Sequence, residues 1–289
     1  MKERDTNLKL PFIFLKERKP EIDALMMAEI QIETTSQIPD TKDIPLEGVK
    51  WLQSPAITCV YIDLVKSTHL QVIKHPKTTA KVYQLFVENM VRALNNFDAQ
   101  FIDVRGDGGF GIFVGEDSPV AALCAAITFK TLCSKYLENS LPEFKIQAHI
   151  GIDKKAVLFK QVGMRGDKKN VVWAGKPVNM SAKLASLAAG GQVAISDRVY
   201  EVLSKPKFKK YAVMSCGCSN GKYTGETSNL WTAQSVTDKG YFDFTTAYVN
   251  PAIWCDTHGD DFCKNLMQDS TKESVVNRIT ADILRSLNL

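Results

Sequence analysis

The sequence has no apolar run long enough to cross a bilayer, and its longest apolar stretch, Val120–Phe129, predicts the buried face of a helix instead. The sequence also has only a small excess of positive charge, since 36 Lys and Arg residues against 32 Asp and Glu residues give a net charge of +4. So small an excess gives no reason to expect a nucleic-acid or membrane partner. The N-terminal residues contain no apolar signal core, so we expect a cytoplasmic protein.

The sequence also lacks internal repeats and low-complexity tracts. Its 289 residues are 45% hydrophobic and 24% charged, which is typical of folded proteins and excludes collagen-like, coiled-coil and disordered classes. The length suits one large domain, or one medium domain with attachments. Seven cysteines, an odd number, predict reduced thiols or metal ligands in a cytoplasmic protein rather than a disulfide framework.

Changes in composition divide the chain into three parts. Residues 1–53 are predicted to form an N-terminal helical arm and linker, residues 54–205 one dense domain, and residues 206–289 an extension with cysteines and a terminal helix. Apolar residues at helical spacing in Glu21–Glu33 predict a helix in the arm. The stretch Thr34–Glu47 is rich in Thr, Ser, Pro and Asp and is predicted to be a linker.

The order of predicted elements in the central domain is strand, helix, two strands, helix, strand. This order is typical of an α+β, ferredoxin-like unit, whose hairpin makes the central sheet antiparallel there. The strands are predicted at Ala56–Asp63, Gln100–Arg105, Phe110–Val114 and Phe144–Ile152, and the helices at Thr78–Phe97 and Ser118–Leu137. A helix, a short strand and another helix are appended, at Lys176–Ala189, at Gln192–Ser196 and from Asp197 onward.

Two aspartates stand where the predicted sheet would bring them together. Asp63 ends the first strand, and Asp107 lies at the tip of the hairpin, within Gly106-Asp107-Gly108. Two carboxylates held close repel each other unless a divalent cation neutralises them, and Mg²⁺ or Mn²⁺ favours such oxygen ligands. A helix cap and a hairpin turn residue are the alternative interpretation of these aspartates.

The turn after Asp63 is a candidate phosphate site. Backbone N–H groups at a strand-to-helix turn are well placed to cradle phosphates. We expect contacts to a triphosphate from Leu64, Val65, Lys66, Ser67 and Thr68.

Three motifs in this order resemble those of the class III nucleotidyl cyclases. The family's Asp-Ile-x-x-Phe-Thr corresponds to Asp63–Thr68, and its Gly-Asp at a hairpin tip corresponds to Gly106-Asp107. Its Gly-x-x-Val-Asn-x-x-x-Arg corresponds to Gly175–Lys183, with lysine in place of arginine. The resemblance covers about residues 54–204, and it implies a nucleoside triphosphate substrate and a cyclic nucleotide product.

The resemblance also implies a homodimer with active sites at the subunit interface. Asp63, Asp107 and the Leu64 carbonyl of one subunit would hold two Mn²⁺ or Mg²⁺ ions. Asn179 of the other subunit would orient the ribose, and Lys183 would stabilise charge on the pentavalent phosphorus. Independently of the family, their spacing of four residues places Asn179 and Lys183 on one helix face. A solvated surface lysine is the alternative for Lys183, because lysine lacks arginine's planar fork.

Two departures from the family pattern concern which nucleotide base the site would select. Purine cyclases of this family place a Lys or Glu four residues before the second metal-binding Asp, and this chain has Asp103 there. They place an Asp or Cys seven residues before the ribose-binding Asn, and this chain has Val172 there. Asp103, Arg105 and Asp107 are expected to share one strand face. Asp103 could accept a hydrogen bond from uracil N3–H or from the cytosine N4 amino group, and Arg105 could donate a hydrogen bond to a carbonyl or phosphate. A salt-bridged pair on an exposed sheet edge is the alternative.

The stretches Val104–Phe110 and Val171–Asn179 look most like the bacterial antiphage pyrimidine cyclases of the Pycsar systems. That resemblance implies conversion of UTP to cyclic UMP after phage infection and activation of a downstream effector, with UTP ahead of CTP. A cytidylate cyclase, an adenylate or guanylate cyclase, and a non-catalytic nucleotide-sensing module are the alternatives. The presence of both aspartates and of Asn179 argues against the non-catalytic alternative.

The C-terminal extension contains several cysteines and a histidine. Thiolate and imidazole ligands suit structural zinc, although their spacing matches no standard zinc finger, and ordinary reduced thiols are the alternative. The candidate ligands are Cys216, Cys218, Cys255, His258 and Cys263. Three other cysteines fall in apolar strand or helix patterns and are expected in the core, namely Cys59, Cys124 and Cys133.

Overall fold

The computed structural model describes residues 10–65, 76–138, 146–164, 168–219, 221–237 and 240–268. Two predicted features lie outside these ranges. They are the terminal helix, Thr271–Leu289, and the part of the phosphate turn formed by Lys66, Ser67 and Thr68.

The N-terminal arm differs from its prediction. Helix α1 spans Pro11–Met27 and is exposed throughout, and the next element is a strand, β1, at Gln31–Thr34. This strand pairs in parallel with residues Lys50–Gln53. The prediction of a helix through Glu33 is therefore wrong, because pairing with a neighbouring strand satisfies these backbone groups and overrides local helical spacing.

The central unit contains the predicted elements in the predicted order. Its strands are neighbours in the order β5-β2-β4-β3, and each neighbouring pair is antiparallel. This is the strand order of a ferredoxin-like unit, so the predicted fold class is confirmed. A π-helical turn, Cys133–Leu137, continues α3. The elements are β2 (Lys50–Leu64), α2 (Pro76–Asn96), β3 (Phe101–Arg105), β4 (Gly108–Val114), α3 (Ser118–Leu132) and β5 (Ala148–Gly163).

Later elements extend the same sheet on the β5 side. Strand β7 runs parallel to β5, β11 runs antiparallel to β7, and β10 runs antiparallel to β11. The sheet therefore crosses the boundaries proposed at residues 53 and 205, and the three-part division stays a prediction. The elements are β6 (Lys169–Gly175), α4 (Lys176–Leu187), β7 (Gln192–Ser196), α5 (Asp197–Leu203), α6 (Pro206–Ala212), β8 (Cys218–Ser219), β9 (Lys222–Tyr223), β10 (Thr232–Ser235) and β11 (Thr246–Asn250), with a helix at 259–268.

Helices α2 and α3 cover one face of the sheet and form the main core with it. Phe86 of α2 and Phe129 of α3 are fully buried and meet edge to face, with ring centroids 5.0 Å apart. Val60 and Ile62 of β2 point into the same core, so the intervening Tyr61 and Asp63 face the other side of the sheet.

The apolar segment around α3 is longer than the apolar stretch Val120–Phe129 indicated. Residues Ser118–Leu137 have the length and composition of a membrane-crossing helix, which corrects the expectation that no segment has them. Most of the segment is buried against α2 and the sheet, as in the core helix of a folded domain.

Helix α4 lies on the opposite face of the sheet and approaches it closely. A Cβ atom at Gly151 of β5 would collide with the Ser181 carbonyl oxygen, so only glycine permits this approach. The Ser181 hydroxyl donates to the Cys59 carbonyl oxygen at 2.9 Å. These contacts fix the position of α4 over β2 and β5, and with it the positions of Asn179 and Lys183.

Candidate active site

Asp63 lies at the end of β2, between two neighbouring strands. It is opposite Gly108 of β4 on one side and opposite His149 of β5 on the other. The hairpin between β3 and β4 turns through Gly106 and Asp107, and Gly106 has a φ of +64°, which favours glycine. The sheet therefore brings the hairpin tip with Asp107 next to Asp63, as the sequence predicts.

The close approach of these two elements depends on Gly108. A Cβ atom at this position would collide with the Ile62 carbonyl oxygen and would lie 2.8 Å from Asp63 Oδ1. The carboxylate of Asp63 thus occupies space that any side chain at position 108 would fill.

The pKa of Asp63 is shifted by burial and by its charged neighbours. Burial raises the pKa of Asp63, and the charge of Asp107 raises it further. His149 and a hydrogen bond from the Leu64 N–H oppose this rise in pKa. The pKa of Tyr61 is raised by burial first and then by the same two carboxylates, so Tyr61 lies beside them on this face.

Asp107 has an unsatisfied oxygen. Its Oδ2 atom is buried and accepts no hydrogen bond from any residue that the structure describes. A buried carboxylate oxygen without a partner is costly, and a divalent cation would remove that cost. Asp63 and Asp107 therefore fit Mg²⁺ or Mn²⁺, which prefer such hard oxygen donors. Leu64, whose carbonyl is a third candidate ligand, forms the last pair of β2 with Ala148.

Little of the predicted phosphate turn is described. The N–H of Val65 donates to the Gln147 carbonyl oxygen at 2.9 Å and so extends the pairing between β2 and β5. This N–H is engaged within the sheet edge. Phosphate contacts by the turn remain a prediction.

Asn179 and Lys183 lie one turn apart on α4. Asn179 is exposed, and its Nδ2 atom is 3.5 Å from the Gly175 carbonyl oxygen. The Lys183 ammonium donates to the Tyr241 carbonyl oxygen at 2.9 Å and lies 4.9 Å from the centre of the Tyr241 ring. Among the described residues, no hydrogen bond or ion pair joins either side chain to the two carboxylates.

A charged network, missed by sequence reasoning, holds the loop that contains Tyr241. Asp243 accepts hydrogen bonds from Arg198 at 2.9 Å and from Lys155 at 2.7 Å, and it pairs with Lys176 at 3.1 Å. Burial alone would raise the pKa of Asp243, but these three cations hold it well below its usual range. Because Lys176 begins α4, the network ties the loop to the helix that carries Lys183.

His149 and Tyr61 are also neighbours of Asp63 that sequence reasoning missed. The alternation of β2 places Tyr61 on the face of Asp63, so that signal was present in the sequence. The position of His149 depends on the register between β2 and β5, for which a single sequence gives no signal.

The predicted base-reading residues lie on two different strands. On β3, Arg105 Nε is 2.9 Å from Asp103 Oδ2, and the guanidinium lies 5.4 Å from the centre of the Phe110 ring. Asp103 and Arg105 share one face of β3, but Asp107 does not share it, because Asp107 belongs to the turn and not to the strand. The exposed Val172 lies on β6.

The two strands approach each other through aromatic side chains. The ring of Trp173, next to Val172, is centred 4.9 Å from that of Phe101, two residues before Asp103. Because side chains alternate along a strand, Val172 points to the face of β6 opposite that of Trp173, away from this aromatic contact. A pocket that uses both Val172 and Asp103 therefore needs a further surface to close it.

The cysteines fall into two groups. Cys216, Cys218, Cys255 and His258 come together with ligand atoms within 4.8 Å of one another. Cys263 is not among them. It lies on the helix at 259–268 and packs against the core that contains Cys124 of α3. Its assignment to the metal cluster is wrong.

The cysteines predicted to lie in the core are confirmed there. Cys59, Cys124 and Cys133 are all buried. Burial raises the pKa of Cys59 and of Cys133 to about 12, so both remain thiols.

Comparison with known proteins agrees with this geometry. Residues 49–227 match the family described as the adenylate and guanylate cyclase catalytic domain. The uridylate cyclase of Propioniciclava tarda is 35% identical over 254 residues, which are 84% of this chain and 79% of that protein. The uridylate cyclase of Micromonospora echinofusca is 29% identical over 248 residues, which are 82% and 77% of the two chains.

A solved structure shows the same fold at much lower identity. The adenylyl cyclase CyaB from P. aeruginosa superposes with a TM-score of 0.54 at 13% identity, covering 69% of this chain and 95% of that chain. With the family match across residues 49–227 and a relative that is 35% identical over most of both chains, the chain belongs to the class III nucleotidyl cyclases and is a nucleotidyl cyclase.

Proposed function

We propose that this cyclase converts UTP to 3′,5′-cyclic UMP and pyrophosphate, at active sites formed between the two subunits of a homodimer. The observation that carries the proposal is the juxtaposition of Asp63 with Asp107, whose buried Oδ2 atom has no partner among the described residues. Both relatives named above are uridylate cyclases, which supports uracil as the base.

The two aspartates and the Leu64 carbonyl would hold two Mn²⁺ or Mg²⁺ ions. When bound, such ions lower the pKa of the ribose 3′-hydroxyl and neutralise charge on the phosphate oxygens. In the reaction the 3′-oxygen bonds to the α-phosphorus, the bridging oxygen leaves with pyrophosphate, and the hydroxyl proton passes to solvent. Asp63 and Asp107 contribute two negative charges that lie close together. These charges are neutralised only when the metal ions are bound.

The partner subunit would supply Asn179 and Lys183. Among the described residues of one chain, no hydrogen bond or ion pair joins either side chain to the carboxylates, and Asn179 is exposed, which supports a role toward a second subunit. Asn179 would orient the ribose by hydrogen bonds. Lys183 would place its positive charge beside the pentavalent phosphorus, where charge develops in the transition state.

Selection of the base is assigned to Asp103, with Val172 as an apolar wall. When uracil is bound, the Asp103 carboxylate would accept a hydrogen bond from its N3–H. Cytosine carries no proton at N3, so the same carboxylate oxygen would be left without a partner, and such a mismatch costs about 1–3 kcal/mol. Arg105, which already pairs with Asp103 at 2.9 Å, would orient that carboxylate and donate to a base carbonyl or to phosphate.

The cellular role proposed for this activity is antiphage defence in the cytoplasm. The cyclic nucleotide would act as a second messenger that a separate effector protein binds. Support comes from the stretches Val104–Phe110 and Val171–Asn179, which look like those of the Pycsar pyrimidine cyclases.

One experiment tests the chemistry. The purified chain is incubated with Mn²⁺ and each of UTP, CTP, ATP and GTP at equal concentration, and cyclic products are identified by mass spectrometry, with Asp63→Ala as the inactive control. We expect cyclic UMP as the main product. Cyclic AMP or cyclic GMP as the main product would overturn the pyrimidine assignment, and no product from a folded dimer would favour a non-catalytic module.

The matched variant for base selection is Asp103→Asn. We expect weaker UTP turnover or a smaller preference for UTP over CTP, with metal dependence retained. Unchanged UTP turnover together with an unchanged preference for UTP over CTP would remove Asp103 from the base site.

A further inference from the structure

A second candidate metal centre lies on the α3 side of the sheet. Cys216 and Cys218 lie between α6 and β9, and Cys255 and His258 lie just before the helix at 259–268. Their four ligand atoms fall within 4.8 Å of one another, and all four residues are half-buried.

The spacing of these atoms matches a tetrahedral zinc site. His258 Nδ1 lies 3.3 Å from Cys218 Sγ and 3.9 Å from Cys255 Sγ. With Zn–S near 2.3 Å and Zn–N near 2.0 Å, a tetrahedral site requires a sulfur-to-nitrogen separation of about 3.5 Å. The two observed distances lie on either side of that value, so an ion fits with little movement.

The surrounding backbone orients the ligands. Gly217 adopts a φ of +81°, which lets the chain turn sharply between the two thiols of Cys216 and Cys218. Its carbonyl oxygen accepts the Thr224 N–H at 2.7 Å and the Thr224 hydroxyl at 2.8 Å. Such contacts from residues outside the ligand set fix ligand orientation in metal sites.

A second set of contacts orients the other two ligands. The Gly259 N–H donates to the Cys255 carbonyl oxygen at 2.8 Å, which closes the turn that holds Cys255 and His258. The ring of Tyr223 lies beside the imidazole of His258, with ring centroids 5.6 Å apart.

The ligands join two parts of the chain that few regular hydrogen bonds connect. Residues 251–255 have neither helix nor strand structure. They are held to α3 by side chains, since the Trp254 indole donates to the Thr128 hydroxyl at 2.8 Å and the Lys130 ammonium to the Ala252 carbonyl oxygen at 2.7 Å. A cross-link from Cys216 and Cys218 would fix the other side of this segment.

We propose that Cys216, Cys218, Cys255 and His258 bind one structural Zn²⁺ ion that fastens the C-terminal segment to the chain after α6. Four protein ligands fill the tetrahedral shell and leave no position for a substrate, so this ion has no part in cyclisation. Cys263 is excluded from the site, because it lies outside the cluster of ligand atoms and packs against the core that contains Cys124.

The test uses the full-length chain, produced with a tag that contains no histidine and purified without chelators. Elemental analysis should find one zinc per chain, and X-ray absorption should find three sulfur neighbours and one nitrogen. Cys255→Ser and His258→Gln should lose most of the zinc and unfold at lower temperature. Cys263→Ser, on the same segment but outside the ligand set, should keep the metal.

Cobalt binding to the wild-type chain gives a test that does not depend on folding of the variants. After zinc removal, Co²⁺ should produce the intense visible bands and sulfur-to-metal charge transfer of a tetrahedral thiolate site. A wild-type chain that purifies without zinc and shows no such spectrum would overturn the proposal. Equal loss of zinc in Cys263→Ser and Cys255→Ser would overturn the ligand assignment.

Discussion

Asp63 lies directly opposite Gly108 in the ladder between β2 and β4, and a Cβ atom at position 108 would come within 2.8 Å of the Asp63 Oδ1 atom. The missing side chain of one residue thus makes room for the carboxylate of the other. This relationship fixes the distance from the strand end to the hairpin tip, and with it the geometry available for a metal ion.

Gly108→Ala should therefore damage the site and the fold together. The added methyl group collides with the Ile62 carbonyl oxygen, and overpacking of this kind costs about 1–3 kcal/mol of unfolding free energy. Displacement of the carboxylate should lower cyclase activity by about tenfold or more, since small misplacements of reacting groups are costly.

The matched control for this change is Gly106→Asn. Gly106 has a positive φ, which Asn tolerates, and a Cβ atom placed there would have no atom of the described residues within 4 Å outside its own turn. Thermal unfolding and cyclic nucleotide yield should both change less than in Gly108→Ala. Equal effects of the two substitutions would show that turn strain, and not the contact with Asp63, decides the outcome.

Removal of the charge of Asp107 should separate catalysis from stability. Asp107→Asn should reduce turnover by about 10²-fold, the scale on which loss of one group that stabilises transition-state charge acts. In the presence of a chelator the same variant should unfold about 1–3 °C above wild type, because the repulsion with Asp63 is removed. Added Mn²⁺ should raise the unfolding temperature of wild type only, and a variant that still responds to Mn²⁺ would contradict the assignment of Asp107.

The raised pKa of Asp63 predicts how the stability of the metal-free protein depends on pH. Because the folded chain raises the pKa of Asp63, the folded state binds this proton more tightly than the unfolded state does. Stability without metal should therefore fall as pH rises from the usual carboxyl pKa through the higher folded pKa. Asp63→Asn should remove that part of the profile, as measured by urea unfolding across this pH range in chelator.

The shared active site makes a quantitative prediction for mixed subunits. Asp63→Ala and Lys183→Ala proteins should each be nearly inactive. After subunit exchange the mixture should recover about a quarter of wild-type activity, since half of the dimers are mixed and each mixed dimer has one intact site. A mixture of Asp63→Ala with Asp107→Ala should recover nothing, and failure of the first mixture with exchange confirmed would rule out sites built across the dimer.

The network around Asp243 should contribute to stability in a pH-dependent way. Asp243→Asn removes the anion shared by Lys155, Lys176 and Arg198, of which, among the described residues, only Arg198 keeps another carboxylate, the buried Asp153. The change should cost about 1–3 kcal/mol of unfolding free energy at neutral pH. Because the folded pKa of Asp243 is depressed, the wild-type advantage is present above the usual carboxyl pKa and is lost as pH falls toward the folded value.

Urea unfolding of Asp243→Asn at several pH values checks this, with Lys155→Gln as a control that removes a single pair. The control should lose less stability than Asp243→Asn. A loss in Asp243→Asn that does not shrink at low pH would mean that the network acts through packing and not through charge.

Several parts of the fold and site could be predicted from local pattern. The apolar stretch Ala56–Asp63 predicted the buried strand β2, and Gly-Asp-Gly predicted the hairpin tip with Asp107, because apolar runs and turn chemistry are properties of neighbouring residues. The four-residue spacing of Asn179 and Lys183 likewise placed both on α4. The helix predicted at Glu21–Glu33 failed where β1 pairs with β2, since that pairing involves residues far along the chain.

Local patterns in the chain were enough to establish the ferredoxin-like order of elements and the presence of two aspartates at strand and hairpin ends. The folded molecule was needed to show that His149 is the other neighbour of Asp63, that Tyr241 holds Lys183, and that Cys263 lies outside the Cys and His cluster. This difference arises because register, loop anchoring and helix direction depend on contacts between distant segments. Those contacts are selected by packing of the whole core, and no local window of residues specifies them.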